Sequence, residues 1–109
     1  TQLDQRLQHA ILTGLQKNQY QIDFIAEKLG LSVRQLQRHL QQQNTTFQER
    51  VQQIRFMLAT EYLKDPHLSL QEIALLLCYS EQSAFQRAFK IWTNQTPQQW
   101  RNNNTTYNS

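Results

Sequence analysis

The chain has 109 residues, of which 39% are hydrophobic, enough for one domain or two very small ones but not for a large core. Only two glycines and two prolines interrupt it, which favours helices over turn-rich β structure, and no apolar run approaches the roughly 18 residues of a membrane span. The net charge of +3 is mildly basic, as in many nucleic-acid-binding proteins, and the single cysteine excludes an internal disulfide and fits a reducing cytoplasm.

Two amphipathic helices are predicted at the start of the chain. The apolar residues of the first helix recur every four positions, at Leu3, Leu7, Ile11 and Leu15. Gly14 lies near the end of this helix and weakens it. A second apolar stripe over residues 22–29 ends at Gly30, and glycine is common just beyond a helix C-terminus.

Four later helix starts have the spacing of a capping box, in which a Ser or Thr precedes a Glu or Gln by three positions. These pairs are Ser32 with Gln35, Thr46 with Glu49, Ser69 with Glu72, and Thr96 with Gln99. The helix after Thr46 is the longest, and Asp65-Pro66 stops it. Its length of about 17 residues corresponds to roughly 26 Å.

The chain contains an internal repeat. Ile25-Ala26 recurs as Ile73-Ala74, 48 positions later, while residues 36–40 (LQRHL) recur as residues 85–89 (FQRAF), 49 positions later. The second copy therefore has one extra residue in its turn or at the start of its second helix. Cys78 occupies the position of Gly30, and a positive φ there would cost about 1 kcal/mol.

Each copy has the pattern of a helix-turn-helix motif, in which a small alanine lets the second helix cross closely and a turn follows four residues later. Two hairpins of an ordinary helical bundle are the alternative. The duplication favours DNA binding, and so do the polar residues on the exposed face of each second helix, because arginine pairs with guanine and glutamine with adenine. These residues are Arg34, Gln37 and Arg38 in the first copy, and Gln82, Ser83, Gln86 and Arg87 in the second.

Residues 22–101 resemble the C-terminal DNA-binding domain of the AraC/XylS family of bacterial transcription regulators. The resemblance is carried most specifically by Ile73-Ala74, Ser83-x-Phe85-x-Arg87-x-Phe89-Lys90 and Thr96-Pro97-x-x-Trp100-Arg101. The first half matches through Ala26, Ser32, Arg34, Leu36, Arg38, Phe47, Arg55 and Ala59. The chain departs from the family at Cys78-Tyr79, where Gly-Phe is usual, and at Asn44 and Asn94, where glycine is usual; Tyr79 is expected to fill the same aromatic core position.

The resemblance implies an all-α fold of about seven helices, with two homeodomain-like helix-turn-helix subdomains joined by a long helix. The expected divisions are a first subdomain over residues 1–45, a linker helix over 46–64, a second subdomain over 65–101 and a disordered tail over 102–109. The recognition helices would be residues 33–42 and 81–92, entering successive major grooves about 34 Å apart. The second is expected to be the weaker reader of sequence.

The resemblance and the residue chemistry together give the candidate contacts with DNA. The candidates for base contacts are Arg34, Gln37, Arg38, Gln82, Gln86 and Arg87. The candidates for phosphate contacts are Ser83, Lys90, Arg101 and Arg55. Ser83 could instead cap its helix, and Arg55 could instead pair with Glu61 or Asp65. Trp92 and Trp100 are expected to pack in the second subdomain.

The expected function is sequence-specific binding of a double-stranded DNA operator by a cytoplasmic transcription regulator, with activation favoured over repression. Partners implied by the resemblance are RNA polymerase subunits and a sensing or dimerisation domain of a longer chain, of which this would be a fragment. No residue pattern indicates catalysis, a cofactor or a metal site, since His9, His39 and His67 lack partners at ligand spacing. The alternative from another class is a helical protein-interaction module, which would require an exposed apolar groove.

Overall fold

A computed structural model describes residues 1–105, and these residues form seven α-helices without strands. The prediction of an all-α fold with about seven helices is confirmed. The helices are α1 (Gln2–Gln16), α2 (Ile22–Lys28), α3 (Val33–Gln42), α4 (Phe47–Leu63), α5 (Leu70–Leu76), α6 (Gln82–Thr93) and α7 (Pro97–Thr105).

The chain divides into two compact units, Thr1–Ile54 and Arg55–Ser109, so that the division falls within α4. Each unit has its own apolar core. The core of the first unit includes the buried residues Leu7, Ile11, Ile25, Leu36, Leu40 and Ile54. The core of the second unit includes Ala59, Leu63, Ile73, Ala74, Leu77, Phe85 and Phe89.

Aromatic side chains pack around the core of the second unit. The rings of Trp92 and Trp100 each lie 6.1 Å from the ring of Phe89, in edge-to-face geometry. Tyr79 lies 6.0 Å from Phe85 and packs against the same core. The predicted packing roles of Trp92, Trp100 and Tyr79 are therefore confirmed.

The helix starts follow the capping pattern. At each of the four predicted sites the Ser or Thr oxygen accepts a hydrogen bond from the backbone amide three residues on, at 3.1 Å. The Gln or Glu side chain accepts the return bond from the cap residue's amide at Ser32, Ser69 and Thr96. At Thr46 the hydroxyl instead donates to the Glu49 carboxylate at 3.2 Å. Local side-chain chemistry thus sets where these helices begin.

The turns that follow α2 and α5 have the same backbone geometry. Gly30 has φ +71° and Cys78 has φ +66°, and each donates its amide to the carbonyl three residues earlier at 3.0 Å. The next amide in each copy, that of Leu31 or Tyr79, donates to the carbonyl of Ala26 or Ala74 at 2.9 Å. The extra residue of the second copy therefore lies after Tyr79, and Cys78 carries the expected cost of about 1 kcal/mol.

Two residues at the ends of helices have the left-handed backbone that asparagine tolerates better than most residues. Asn44 and Asn94 have φ +58° and +61°, after α3 and α6 respectively. At both positions asparagine therefore replaces the glycine of the family pattern at little conformational cost.

Gly14 has a packing role in addition to its low helix propensity. A Cβ atom at this position would lie 2.5 Å from the carbonyl oxygen of Gln19, and 3.2 Å from the Cδ1 atom of Ile25. The Gln19 amide donates to the Gly14 carbonyl at 2.7 Å. Glycine is required because the chain folds back directly over α1 at this residue.

The structure corrects the predicted start of the tail. Residues 102–105 belong to α7, which ends at Thr105, so a disordered segment beginning at residue 102 is wrong. Residues 106–109 of that expectation lie outside the described residues. Asn104 stabilises the helix by donating its side-chain amide to the Trp100 carbonyl at 2.7 Å.

Asp4 ties α1 to α3 in the first unit. Its Oδ1 lies 3.0 Å from His39 Nε2, and the Gln43 side-chain amide donates to both carboxylate oxygens at 3.0 and 2.8 Å. The hydrogen bond with His39, followed by those from Thr1 and Gln43, holds the pKa of Asp4 well below its usual range. The carboxylate therefore contributes stability while it is ionised.

We predict that Asp4→Asn lowers the free energy of unfolding by about 1 kcal/mol at neutral pH. Because the pKa of Asp4 is depressed in the folded state, its contribution is complete above the unfolded pKa of about 4 and is lost as the pH falls toward the folded value. Urea unfolding between neutral and acidic pH should show the two proteins converging in acid. Asp23→Asn, at an exposed carboxylate of α2, is the control. A difference that persists unchanged in acid would contradict this role.

Candidate nucleic-acid interface

One face of α3 is polar and exposed along its whole length. Arg34, Gln37, Arg38 and Gln41 are exposed, and they lie opposite the buried Leu36 and Leu40. At about 100° per residue, these four side chains span only about 100° of the helix circumference. Neither guanidinium group takes part in an ion pair of residues 1–105. The predicted trio of base-contacting residues is thus free to meet a ligand, and Gln41 extends the same face.

The matching face of α6 is composed differently. Ser83, Arg87, Lys90 and Ile91 are exposed, opposite the buried Phe85 and Phe89. Ile91 is 82% exposed, an apolar side chain that the sequence analysis did not place on this face. Gln82 and Gln86 are half-buried at its edge, so they are less available than predicted.

The repeat relates the two faces position by position. A shift of 49 residues places Arg34, Gln37, Arg38 and Gln41 on Ser83, Gln86, Arg87 and Lys90. The Gln-Arg pair is identical in both copies. The same shift pairs Gln82 with Val33, a half-buried residue at the start of α3, which explains why Gln82 lies off the exposed face.

The two faces also differ in charge. The face of α3 carries two arginines and no carboxylate. At the start of α6, the Ser83 hydroxyl donates to the Glu81 carboxylate at 2.9 Å. This carboxylate opposes an approaching phosphate and partly offsets Arg87 and Lys90. The second face is therefore the less electropositive one.

The matching family model is a helix-turn-helix domain that spans residues 25–103 of this chain. A probable transcription factor, PqrA, from Proteus vulgaris is 38% identical, with 85% of this chain and 78% of that protein covered. The chain belongs to the AraC-type helix-turn-helix family. It is accordingly a DNA-binding domain of the kind found in transcription regulators.

Other relatives are much longer than this AraC-type domain. The ornithine utilization regulator of Pseudomonas aeruginosa is 43% identical over 70% of this chain, but the match covers 22% of that protein. The regulator VirS of Mycobacterium tuberculosis is 38% identical over 80% of this chain and 26% of its own length. The chain thus spans about a quarter of the length of these relatives.

Solved structures give the same fold. The crystal structure of a DNA-binding transcriptional dual regulator from Escherichia coli K-12 superposes with a TM-score of 0.86, covering 93% of this chain and 90% of that one. The identity is 19%, so this likeness shows the fold alone. The regulator CdpR from Pseudomonas aeruginosa gives a TM-score of 0.71 at 32% identity, over 74% of this chain and 26% of that one. No helix within residues 1–105 is long and apolar enough to cross a membrane.

Arg55, an expected phosphate contact, is bound within the second turn of this AraC-type domain. Its side chain is 7% exposed, and its Nε donates to the Leu77 carbonyl at 2.9 Å and its Nη2 to the Cys78 carbonyl at 3.3 Å. The guanidinium also lies 4.4 Å from the centre of the Tyr79 ring. Both of these hydrogen bonds go to backbone carbonyls of the second turn, and the alternative pairing with Glu61 or Asp65 stays a prediction.

Arg101 is likewise occupied within the second unit. Its Nε donates to the Leu63 carbonyl at 3.0 Å, and its Nη2 donates to the carbonyls of Asp65 and Leu68 at 3.3 and 2.8 Å. These bonds attach α7 to the end of α4 and to the loop that follows it. Arg55 and Arg101 therefore have structural contacts, and the phosphate contacts expected of them stay predictions.

The first turn of the AraC-type domain has a weaker version of the Arg55 contact. Arg6 on α1 donates through Nη2 to the Leu29 carbonyl at 3.4 Å. Arg6 and Arg55 are 49 residues apart, and so are the buried alanines Ala10 and Ala59. The repeat therefore extends to α1 and α4, which the sequence analysis missed because only these few positions preserve it.

We predict that Arg55→Met lowers the free energy of unfolding of the second unit by about 2–3 kcal/mol, because two carbonyls lose a charged donor. Urea unfolding followed by tryptophan fluorescence reports on this unit, since both tryptophans lie in it. The exposed Arg34→Met should change stability by less than about 0.5 kcal/mol. Unchanged stability together with a smaller salt dependence of DNA binding would favour the phosphate role of Arg55 over the structural one.

Proposed function

We propose that this chain binds specific sequences of double-stranded DNA by placing α3 and α6 in major grooves, as the DNA-binding part of a transcription regulator. The observation that carries the proposal is the equivalence of the two exposed helix faces, each with the Gln-Arg pair opposite a buried core. An α-helix fits the major groove, where the base edges are distinguishable.

The two faces would contribute unequally. Arg34, Gln37 and Arg38 are exposed and are proposed to contact base edges. In the second unit Arg87 is proposed as the main base contact, while Gln82 and Gln86 would meet DNA only from the edge of the helix. Ser83 and Lys90 are proposed to contact phosphate, which positions the domain without specifying sequence.

We propose activation of transcription in preference to repression, with RNA polymerase subunits as partners and a sensing or dimerisation domain in a longer polypeptide. The greater length of the regulators that resemble this chain supports the last of these. The proposed setting is the cytoplasm of a bacterium, because the relatives and solved structures named above are bacterial regulators.

We predict that Arg38→Ala weakens binding to the preferred sequence by about 1–3 kcal/mol and relaxes selectivity at one base pair, with little effect on random DNA. Lys90→Ala should weaken binding to all sequences alike and lower the slope of log affinity against log salt by about 1. Both variants are measured by titration of labelled duplexes at several salt concentrations.

Equal losses on preferred and random duplexes for Arg38→Ala would remove its base-reading role. If the unaltered chain shows no salt-sensitive binding to duplex DNA at micromolar concentration, the protein-interaction alternative is favoured instead.

A further inference from the structure

A second polar surface lies in the first unit, in an open groove between α1 and the end of α2. We name it the α1/α2 groove. Its lining includes the basic residues Arg6, His9, Lys17 and Lys28, over a floor that includes Ala10 and Leu29. The four basic side chains are exposed, whereas Ala10 and Leu29 are each only 6% exposed. The groove therefore combines positive charge at its walls with an apolar floor.

The positive charge of the α1/α2 groove is not neutralised by the described residues. No carboxylate is among the residues that line it, and the ion pairs of residues 1–105 do not include Arg6, Lys17 or Lys28. Arg6 uses one nitrogen in its long bond to the Leu29 carbonyl, which leaves its other donors for a ligand. An anionic group entering the groove would meet several unpaired donors.

The groove lies on the side of α1 that faces away from α3. Asp4 marks the side that contacts α3, through His39 and Gln43. At about 100° per residue, Arg6, His9 and Thr13 lie about 140–180° around the α1 axis from Asp4. The α1 wall of the groove therefore lies on the opposite side of that helix from its contacts with α3.

We propose that the α1/α2 groove binds an acidic segment of another protein, with carboxylates paired to Arg6, Lys17 and Lys28 and an aliphatic side chain on Ala10 and Leu29. Charge complementarity carries the proposal, because the groove offers cations without a local counter-charge. The α1 wall of the groove points away from α3, where the proposed function places the duplex. Only the orientation of the groove relative to DNA rests on the proposed function. Binding of an acidic peptide is measured without DNA, so it tests the groove by itself.

The probe is a short acetylated peptide that alternates leucine with pairs of glutamates, titrated into the isotopically labelled chain at low ionic strength. We expect the amide signals of α1 residues 6–17 and of Lys28 and Leu29 to move, while those of the exposed face of α3 stay in place. The double variant Lys17→Gln/Lys28→Gln should weaken peptide binding by on the order of fivefold, since exposed ion pairs are individually weak.

The matched control is Arg34→Gln/Arg38→Gln, which removes the same charge from α3. It should leave the affinity for the peptide within about twofold of that of the unaltered chain. When duplex DNA is titrated instead, Arg34→Gln/Arg38→Gln should lose affinity and Lys17→Gln/Lys28→Gln should keep it. A peptide that replaces glutamate by glutamine should not bind.

The proposal is overturned if the shifted signals centre on α3, if both double variants weaken peptide binding equally, or if Lys17→Gln/Lys28→Gln loses DNA affinity as strongly as the control. If the unaltered chain does not bind DNA but the peptide still shifts the signals of the groove, the proposed function is refuted and the groove stands as a protein-binding site.

Discussion

The left-handed turn between the paired helices of each unit is the constraint on which the exposed faces of α3 and α6 depend. Gly30 and Cys78 reverse the chain with φ +71° and +66°, and the following amides bond to Ala26 and Ala74 at the same distance. The alanines are 1% and 0% exposed, so no larger side chain holds the second helix away from the first. Turn and alanine together orient the polar face of the second helix outward while its apolar face completes the core.

Features that depend on short sequence spacing were predictable. The capping pairs identified four helix starts, and residues 33–42 coincide with α3 because Ser32 and Gln35 satisfy the amides at its beginning. The repeat revealed two helix-turn-helix motifs because buried positions recur with them. Only the position of the extra residue stayed open. It follows from the backbone hydrogen bond of Tyr79, which matches that of Leu31 and so places the extra residue after Tyr79. The exposure of Arg34, Gln37 and Arg38 was predictable because they alternate with buried leucines at helical spacing.

Features that depend on contacts distant in sequence were not predictable in the same way. An exposed arginine and a buried one look alike in sequence, so nothing local showed that Arg55 and Arg101 bind carbonyls 22 to 38 residues away. Asp4 and His39 are 35 residues apart and carry no spacing signal. Gln82 was misplaced for another reason: the 49-residue shift of the repeat pairs it with the half-buried Val33, and this alignment was not applied to it. Long polar side chains have many rotamers, and tertiary packing selects among them.

The exposed faces of α3 and α6 are equivalent in the repeat but unequal in charge, since α3 presents two arginines and α6 sets Glu81 against Arg87 and Lys90. The central claim is that each surface reads its own stretch of DNA. Selection of bound sequences from a random duplex pool tests it most directly, with the unaltered chain, Arg38→Ala and Arg87→Ala compared. The account predicts two enriched blocks, a stronger one lost in Arg38→Ala and a weaker one lost in Arg87→Ala. A single block that both variants weaken equally, or no enrichment, would contradict it.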